Sequence, residues 1–255
     1  MKFKRYIKHI LLVAIMSIAT CNIFAQSAAL KDAEDAYSKG NYKEAIKLYE
    51  DVIKANGPSA DVFYNLGNAY YKANEVAPAI LNYERALKID PSDADTRYNL
   101  QMARQKTIDK IEPTGDMFLS KAFSSVQNLF NANGWGTVGI VCFVVLIICL
   151  IMFFFSKWVY LKKIGFYAGI VLIFVIILAN IFGQRQKNMM TIRDTAVVFA
   201  PTVTIKSSPD NSGNDLFILH EGTKVNIKSK LGDWNEILLE DGSTGWIPSK
   251  DIQII

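Results

Sequence analysis

Side-chain chemistry in water usually needs a histidine, a thiol or a cluster of carboxylates, and this sequence is sparing with all three. It contains 2 histidines and 3 cysteines. His9 belongs to a basic, apolar N-terminal stretch. His220 lies in "LHEG", a strand end beside a turn, where turn chemistry is expected rather than metal binding or base catalysis. Cys21, Cys142 and Cys149 all fall in apolar segments, so neither a disulfide framework nor a thiolate zinc site is expected in the polar parts. Asp32, Glu34 and Asp35 read as a solvated helix face, and no glycine-rich loop is placed to cradle phosphate. The residues therefore predict a non-enzyme with no catalytic group, no cofactor and no metal.

Composition shows where the chain sits. Of 255 residues 51% are hydrophobic, and the mean hydropathy of +0.16 is high for a protein wholly in water. Net charge is +4 in residues 1–25, −3 in 26–120, +6 in 121–189 and −3 in 190–255. The positive excess lies in or beside apolar stretches, which excludes a nucleic-acid binder and fits targeting and membrane orientation. Lys2, Lys4, Arg5 and Lys8 precede an apolar run at 10–18 and small residues up to Ala25, the pattern of a secretory signal peptide over 1–25. Lipidation at Cys21 is the alternative.

Residues 138–155 and 164–182 hold no charge, and each approaches the roughly 20 residues that a bilayer span requires. They predict transmembrane helices over 135–155 and 164–183. The loop at 156–163 carries Lys157, Lys162 and Lys163, which places it in the cytoplasm and both polar parts on the outer side. Arg185 and Lys187 pull weakly the other way. Gly165 and Gly169 share a helix face suited to close packing within the hairpin.

An offset of 34 residues aligns Ala45 with Ala79, Ile46 with Ile80, Tyr49 with Tyr83 and Gly57 with Pro91, then Tyr64, Asn65, Leu66 and Ala69 with Tyr98, Asn99, Leu100 and Ala103. With Leu66, Gly67, Tyr70, Ala79, Tyr83, Ala86 and Pro91 in place, residues 26–112 resemble the tetratricopeptide repeat. The likeness is best over 60–93. It extends over 26–59 through Ala29, Asp32, Ala33 and Ala36, and takes in one helix of a third unit. It implies an all-α solenoid that binds a partner segment along the first helix of each unit. Helical spacing would offer that groove Asn65, Asn68, Tyr71, Tyr98, Asn99 and Met102. No cation accompanies these positions, so recognition of a terminal carboxylate is not expected.

Residues 116–134 space apolar side chains at three and four, predicting a helix that either lies in the membrane interface or caps the repeats. From Thr195 onward, short β-rich runs alternate with turns. The order "KSSP", "LHEGTKV", "GDWNEI", "DGSTGWIPS" over 190–255 resembles the bacterial SH3 domain. That resemblance implies a small all-β barrel, with Gly222 and Gly242 in tight turns, Gly245 leaving room for a neighbour, and Trp234 and Trp246 filling the core. Asp233, Trp234 and Trp246 would line a site for an envelope peptide or peptidoglycan.

The order of parts resembles the Bacteroides aerotolerance (Bat) family. The chain is thus expected to be a multidomain inner-membrane protein whose repeat and SH3 modules face the periplasm and join other Bat-family membrane proteins. A link to oxygen tolerance is implied by the same resemblance. A cell-wall tether or sensor that binds peptidoglycan is the alternative reading.

Overall fold

The computed structural model describes residues 28–111 and 118–255. The expected signal segment, with Cys21 and the cut after Ala25, lies outside them. Five helices form the N-terminal array: α1 over 28–38, α2 Tyr42–Asn56, α3 Ala60–Lys72, α4 Val76–Ile89 and α5 Ala94–Gln105. Each carries an apolar stripe at helical spacing, and successive stripes bury against one another. Ala33, Ala45, Tyr49, Val52 and Leu66 form one cluster; Ala77, Ile80, Tyr83, Leu100 and Ala103 form the next. Gly67 is where α3 and α4 come closest. A Cβ there would lie 2.7 Å from the Tyr83 ring, so the aligned tyrosine dictates the missing side chain. Asp93 starts α5 by accepting hydrogen bonds from the amides of Asp95 and Thr96.

Three helices follow: α6 Phe118–Gln127, α7 Ala132–Phe155 and α8 Val159–Thr191. Helices α7 and α8 are long and apolar enough to cross a membrane, with mean hydropathies of 3.3 and 2.6 over their most apolar windows. Only 11% and 17% of those windows are buried, so these are not core helices of a water-soluble domain. They pack as an antiparallel pair with Ser156, Lys157 and Trp158 between them. Gly165 sets their closest approach: a Cβ would stand 2.7 Å from the Cys149 carbonyl oxygen. Helix α8 extends past the expected end at 183, carrying Gln186 and Met189 beyond the apolar run.

Among the described residues, the side chains of α6 meet the end of this pair and none packs on the repeat array as a cap would. The Phe123 ring meets Phe182 at 5.2 Å, and the Gln127 carbonyl accepts from Trp135 Nε1 and Gln186 Nε2, both at 2.9 Å. Val126, Leu129 and Phe130 remain exposed.

The C-terminal part is a seven-stranded antiparallel sheet in the order β3-β2-β6-β5-β4-β1-β7. Its strands are β1 Thr195–Val198, β2 Thr202–Lys206, β3 Asp215–His220, β4 Lys224–Leu231, β5 Trp234–Leu238, β6 Thr244–Pro248 and β7 Ile252–Ile254. Contrary to the expectation of a barrel, it does not close: β3 and β7 end the order without pairing. Register shifts at Ile205/Lys206 and Ile227/Ser229 bend it instead. The curl brings Val198, Val203, Ile205, Leu219, Val225, Ile237 and Ile247 into one aliphatic core. The tryptophans stand outside that core. Trp234 and Trp246 are half-buried, because they alternate with the inward residues Asn235, Ile237, Gly245 and Ile247. Gly245 does make room, for the Ile205 side chain, which a Cβ would meet at 2.4 Å.

The sheet docks on the back of the array. Val197 of β1 is fully buried among Ala77, Ile80 and Leu81, while Ile111, just past α5, packs on the sheet core. Gly222, at φ +86°, makes the turn after β3. Its Cα lies so near Thr107 and Ile80 that a Cβ would meet Thr107 Cγ2 at 2.7 Å.

Candidate functional site

Docking of the sheet on α4 decides which face of the array stays open. Helices α3 and α5 turn their other side to solvent, and there the expected groove residues gather. Asn68 and Asn99, 31 positions apart, meet: Asn99 Nδ2 donates to Asn68 Oδ1 at 2.9 Å and to the Tyr64 hydroxyl at 3.3 Å. Asn68 Oδ1 also accepts from the Tyr83 hydroxyl at 2.7 Å. Burial pushes the Tyr83 phenol well above its ordinary range, so it remains a neutral donor at any working pH. The Asn68 oxygen is thus fully engaged in tying the two helices to α4. What it can offer a ligand is its amide N–H.

The other positions differ. Asn65 and Tyr71 are half-buried, Tyr98 is 63% exposed and Met102 37% exposed. The side chain of Asn65 makes no hydrogen bond among the described residues. Together these present a strip of amide donors and acceptors flanked by two apolar surfaces, suited to an extended backbone with one or two large side chains. Lys106, missing from the sequence-derived set, stands 4.0 Å over the Tyr71 ring and brings a cation to this strip. The signal that could have found it was available: it lies four positions after Met102, at the residue that caps the end of α5.

Two polar junctions hold the groove helices to the sheet, and sequence reasoning missed both. Glu84 of α4, with 8% of its side chain exposed, accepts from Arg104 of α5 at 2.5 Å and from Lys224 of β4 at 2.7 Å. Burial alone would raise the proton affinity of Glu84, but Lys224 and Arg104 outweigh it and hold the carboxyl below its usual range. Asp109 makes the second junction. It accepts from the His220 amide at 2.7 Å and the Thr223 hydroxyl at 2.6 Å, and it pairs with His220 Nδ1 at 2.8 Å. Burial again works upward, and the hydrogen bonds from Thr223 and His220 bring the carboxyl below its usual value. The His220 side chain therefore bonds to the array, 111 positions away, and not within its own turn.

On the sheet's outer face, strand register sets Trp234 opposite Pro248 and Leu231, and Trp246 opposite Glu236 and Lys206. Asp233 is exposed at the adjoining turn, its carbonyl accepting from the Ser249 amide at 2.7 Å. The two tryptophans therefore share this face as diagonal neighbours across β5 and β6, with Asp233 at the margin.

Residues 30–94 match the tetratricopeptide repeat family, a class of helical array that generally mediates protein–protein interaction. The matched segment contains α2, α3 and α4 entire and so the α3 side of the open groove; the α5 side lies beyond it. No curated protein matches the chain.

Proposed function

We propose that this chain is a non-enzymatic, membrane-anchored scaffold whose repeat groove holds an extended segment of a partner protein. The observation that supports it most is the division of the array's surface. The back of α4 is consumed by the sheet, while the amide and aromatic strip on α3 and α5 is left uncovered. A rigid seam between the array and the sheet presents both modules in fixed orientation beside the α7–α8 hairpin, an arrangement suited to assembling membrane proteins.

The order of parts supports a finer reading: a Bat-type envelope complex in the bacterial inner membrane. Both modules would then be periplasmic, the sheet would be a bacterial SH3 module, and the complex would serve oxygen tolerance. The test is crosslinking of the full chain to co-expressed Bat-type partners in mild detergent, comparing wild type with Asn65→Ala/Met102→Ala. These two side chains hold no structural hydrogen bond, so crosslinking should fall at unchanged melting temperature. Equal crosslinking by the variant refutes the groove.

A second reading rests on the half-buried Trp234 and Trp246 on the outer face of the sheet, whose open ring surface suits stacking on a sugar or peptide of the cell wall. Full-length protein in detergent would then co-sediment with purified sacculi, and Trp246→Ala would abolish this. No sedimentation of the wild type removes the reading.

A further inference from the structure

Where α8 leaves its apolar run, a cleft of about 600 Å³ opens between α4, the end of α8 and β7. Arg85, Lys88 and Arg193 line it, and no acidic side chain does. Arg85 donates to the Ile254 carbonyl at 2.9 Å and sits over the Phe63 ring. Lys88 donates to the Ile192 carbonyl and to the backbone oxygen of Ile255. The Ile254 and Ile192 carbonyls are neutral acceptors, whereas the Ile255 oxygen is part of a carboxylate and offsets Lys88, so Arg85 and Arg193 carry the charge that is not cancelled. Arg193 is exposed and has no hydrogen bond or ion pair among the described residues. Burial lowers the proton affinity of Lys88, and Lys224, Arg193 and Arg85 lower it further, against Asp194 on the other side. The nearby Glu84 is already engaged by Arg104 and Lys224. Positive charge is therefore concentrated in a half-enclosed space, which is the electrostatic condition for holding an anion.

The apolar wall of this cleft continues downward. Ile89 and Met190 line it, and the same two residues line a second cleft of about 730 Å³ that runs between α7 and α8 past Lys187, Gln184, Asn133 and Asn180 to Ile140, Phe143 and Ile176. Met190 and Ile176 are 14 residues apart on one helix, about 21 Å at 1.5 Å per residue. Half of a hydrocarbon core plus one headgroup layer is likewise about 20–22 Å. A charged mouth, then a stretch lined by the amides of Asn133, Asn180 and Gln184, then the apolar end at Ile140, Phe143 and Ile176 fits a molecule with an anionic head, ester groups and acyl chains.

We propose that these two clefts together bind one anionic glycerophospholipid, its phosphate among Arg85, Lys88 and Arg193 and an acyl chain along the α7–α8 groove. The proposal rests on α7 and α8 crossing the bilayer. It also gives a reason for Arg193 beyond the second span, on the side where the positive-inside rule does not call for a cation: it holds lipid rather than sets topology.

The test uses the full chain in detergent, with native mass spectrometry and thermal shift against phosphatidylglycerol, phosphatidylcholine and inorganic phosphate in separate arms. The expected result is at least tenfold preferential retention of phosphatidylglycerol over phosphatidylcholine. Arg85→Gln/Arg193→Gln should lose that preference. Gly139→Leu, which fills the trough and leaves every cation in place, should lose retention as well. Equal retention of the two lipids by the wild type, or an undiminished preference in both variants, overturns the proposal. Stabilisation by inorganic phosphate equal to that by phosphatidylglycerol also overturns it, since the site would then take a free anion. Carbonate extraction of wild-type membranes separately tests the spans: release of the chain refutes the crossing, whatever the lipid preference in detergent.

Discussion

Replacing Glu84 by Gln removes the negative charge on which Arg104 of the groove helix and Lys224 of the sheet converge. The carboxylate is nearly sealed, with 8% of the side chain exposed, whereas Arg104 and Lys224 are 42% and 28% exposed. Hydrogen bonds to charged groups contribute roughly 1.5–3 kcal/mol each. Partial solvation of the two cations recovers about half of that. For the two bonds together the expected cost is about 1.5–3 kcal/mol, at or below the lower end of the 3–5 kcal/mol typical of breaking a fully buried pair. For a cooperative unit of this size that is a fall of about 5–10 °C in melting temperature.

The assay is thermal unfolding of the full chain in detergent, within a double-mutant cycle that adds Lys224→Met. A coupling of about 1 kcal/mol or more is expected between the two positions. The pH dependence has a definite sign. The folded carboxyl titrates below its ordinary value of 4.5, so its contribution is complete above that value and is lost as pH falls through the lowered one. The deficit of Glu84→Gln should therefore shrink in acid. A variant as stable as wild type at pH 7, or strict additivity with Lys224→Met, refutes the claim that this triad joins array to sheet.

Three further outcomes are expected. Asp109 is also held below its ordinary 3.8, so the exchange protection factor of the His220 amide, which donates to Asp109, should fall as pH drops through that lowered value, and Asp109→Asn should show reduced protection at neutral pH already. Gly67→Ala drives a methyl into the Tyr83 ring and should cost about 1–3 kcal/mol in thermal unfolding. Its effect on partner crosslinking should track that loss of stability. Gly165→Leu should spread α7 from α8, read as loss of a disulfide engineered between the two spans near Cys149 and Gly165, with the repeat array's circular dichroism unchanged.

Much of the molecule was legible from local pattern. The 34-residue period reports which helix faces are buried, because each unit hides the same stripe. Lengths of uncharged sequence report solvent, because lipid tolerates few charges. Gly222 and Gly242 mark turns, both having positive φ. Local pattern failed where a residue's partner is remote. Trp234 and Trp246 are large and apolar, yet alternation along β5 and β6 turns them outward, and the core is filled by aliphatic side chains converging from seven strands. Asn68 fits a groove donor by position, but its oxygen is spoken for by Tyr83 and Asn99, so Asn65 is the cleaner probe of binding.

What the amino-acid order determined is thus everything set by nearest neighbours along the chain: repeat units, apolar spans, strand runs and their turns. The tertiary structure alone decided which side of the array remains open, that the sheet curls without closing, and that Glu84 and Lys224, 140 positions apart, share a charge. The physical reason is range. Periodicity records whether a side chain is buried, while the identity of its partner depends on how two finished surfaces meet.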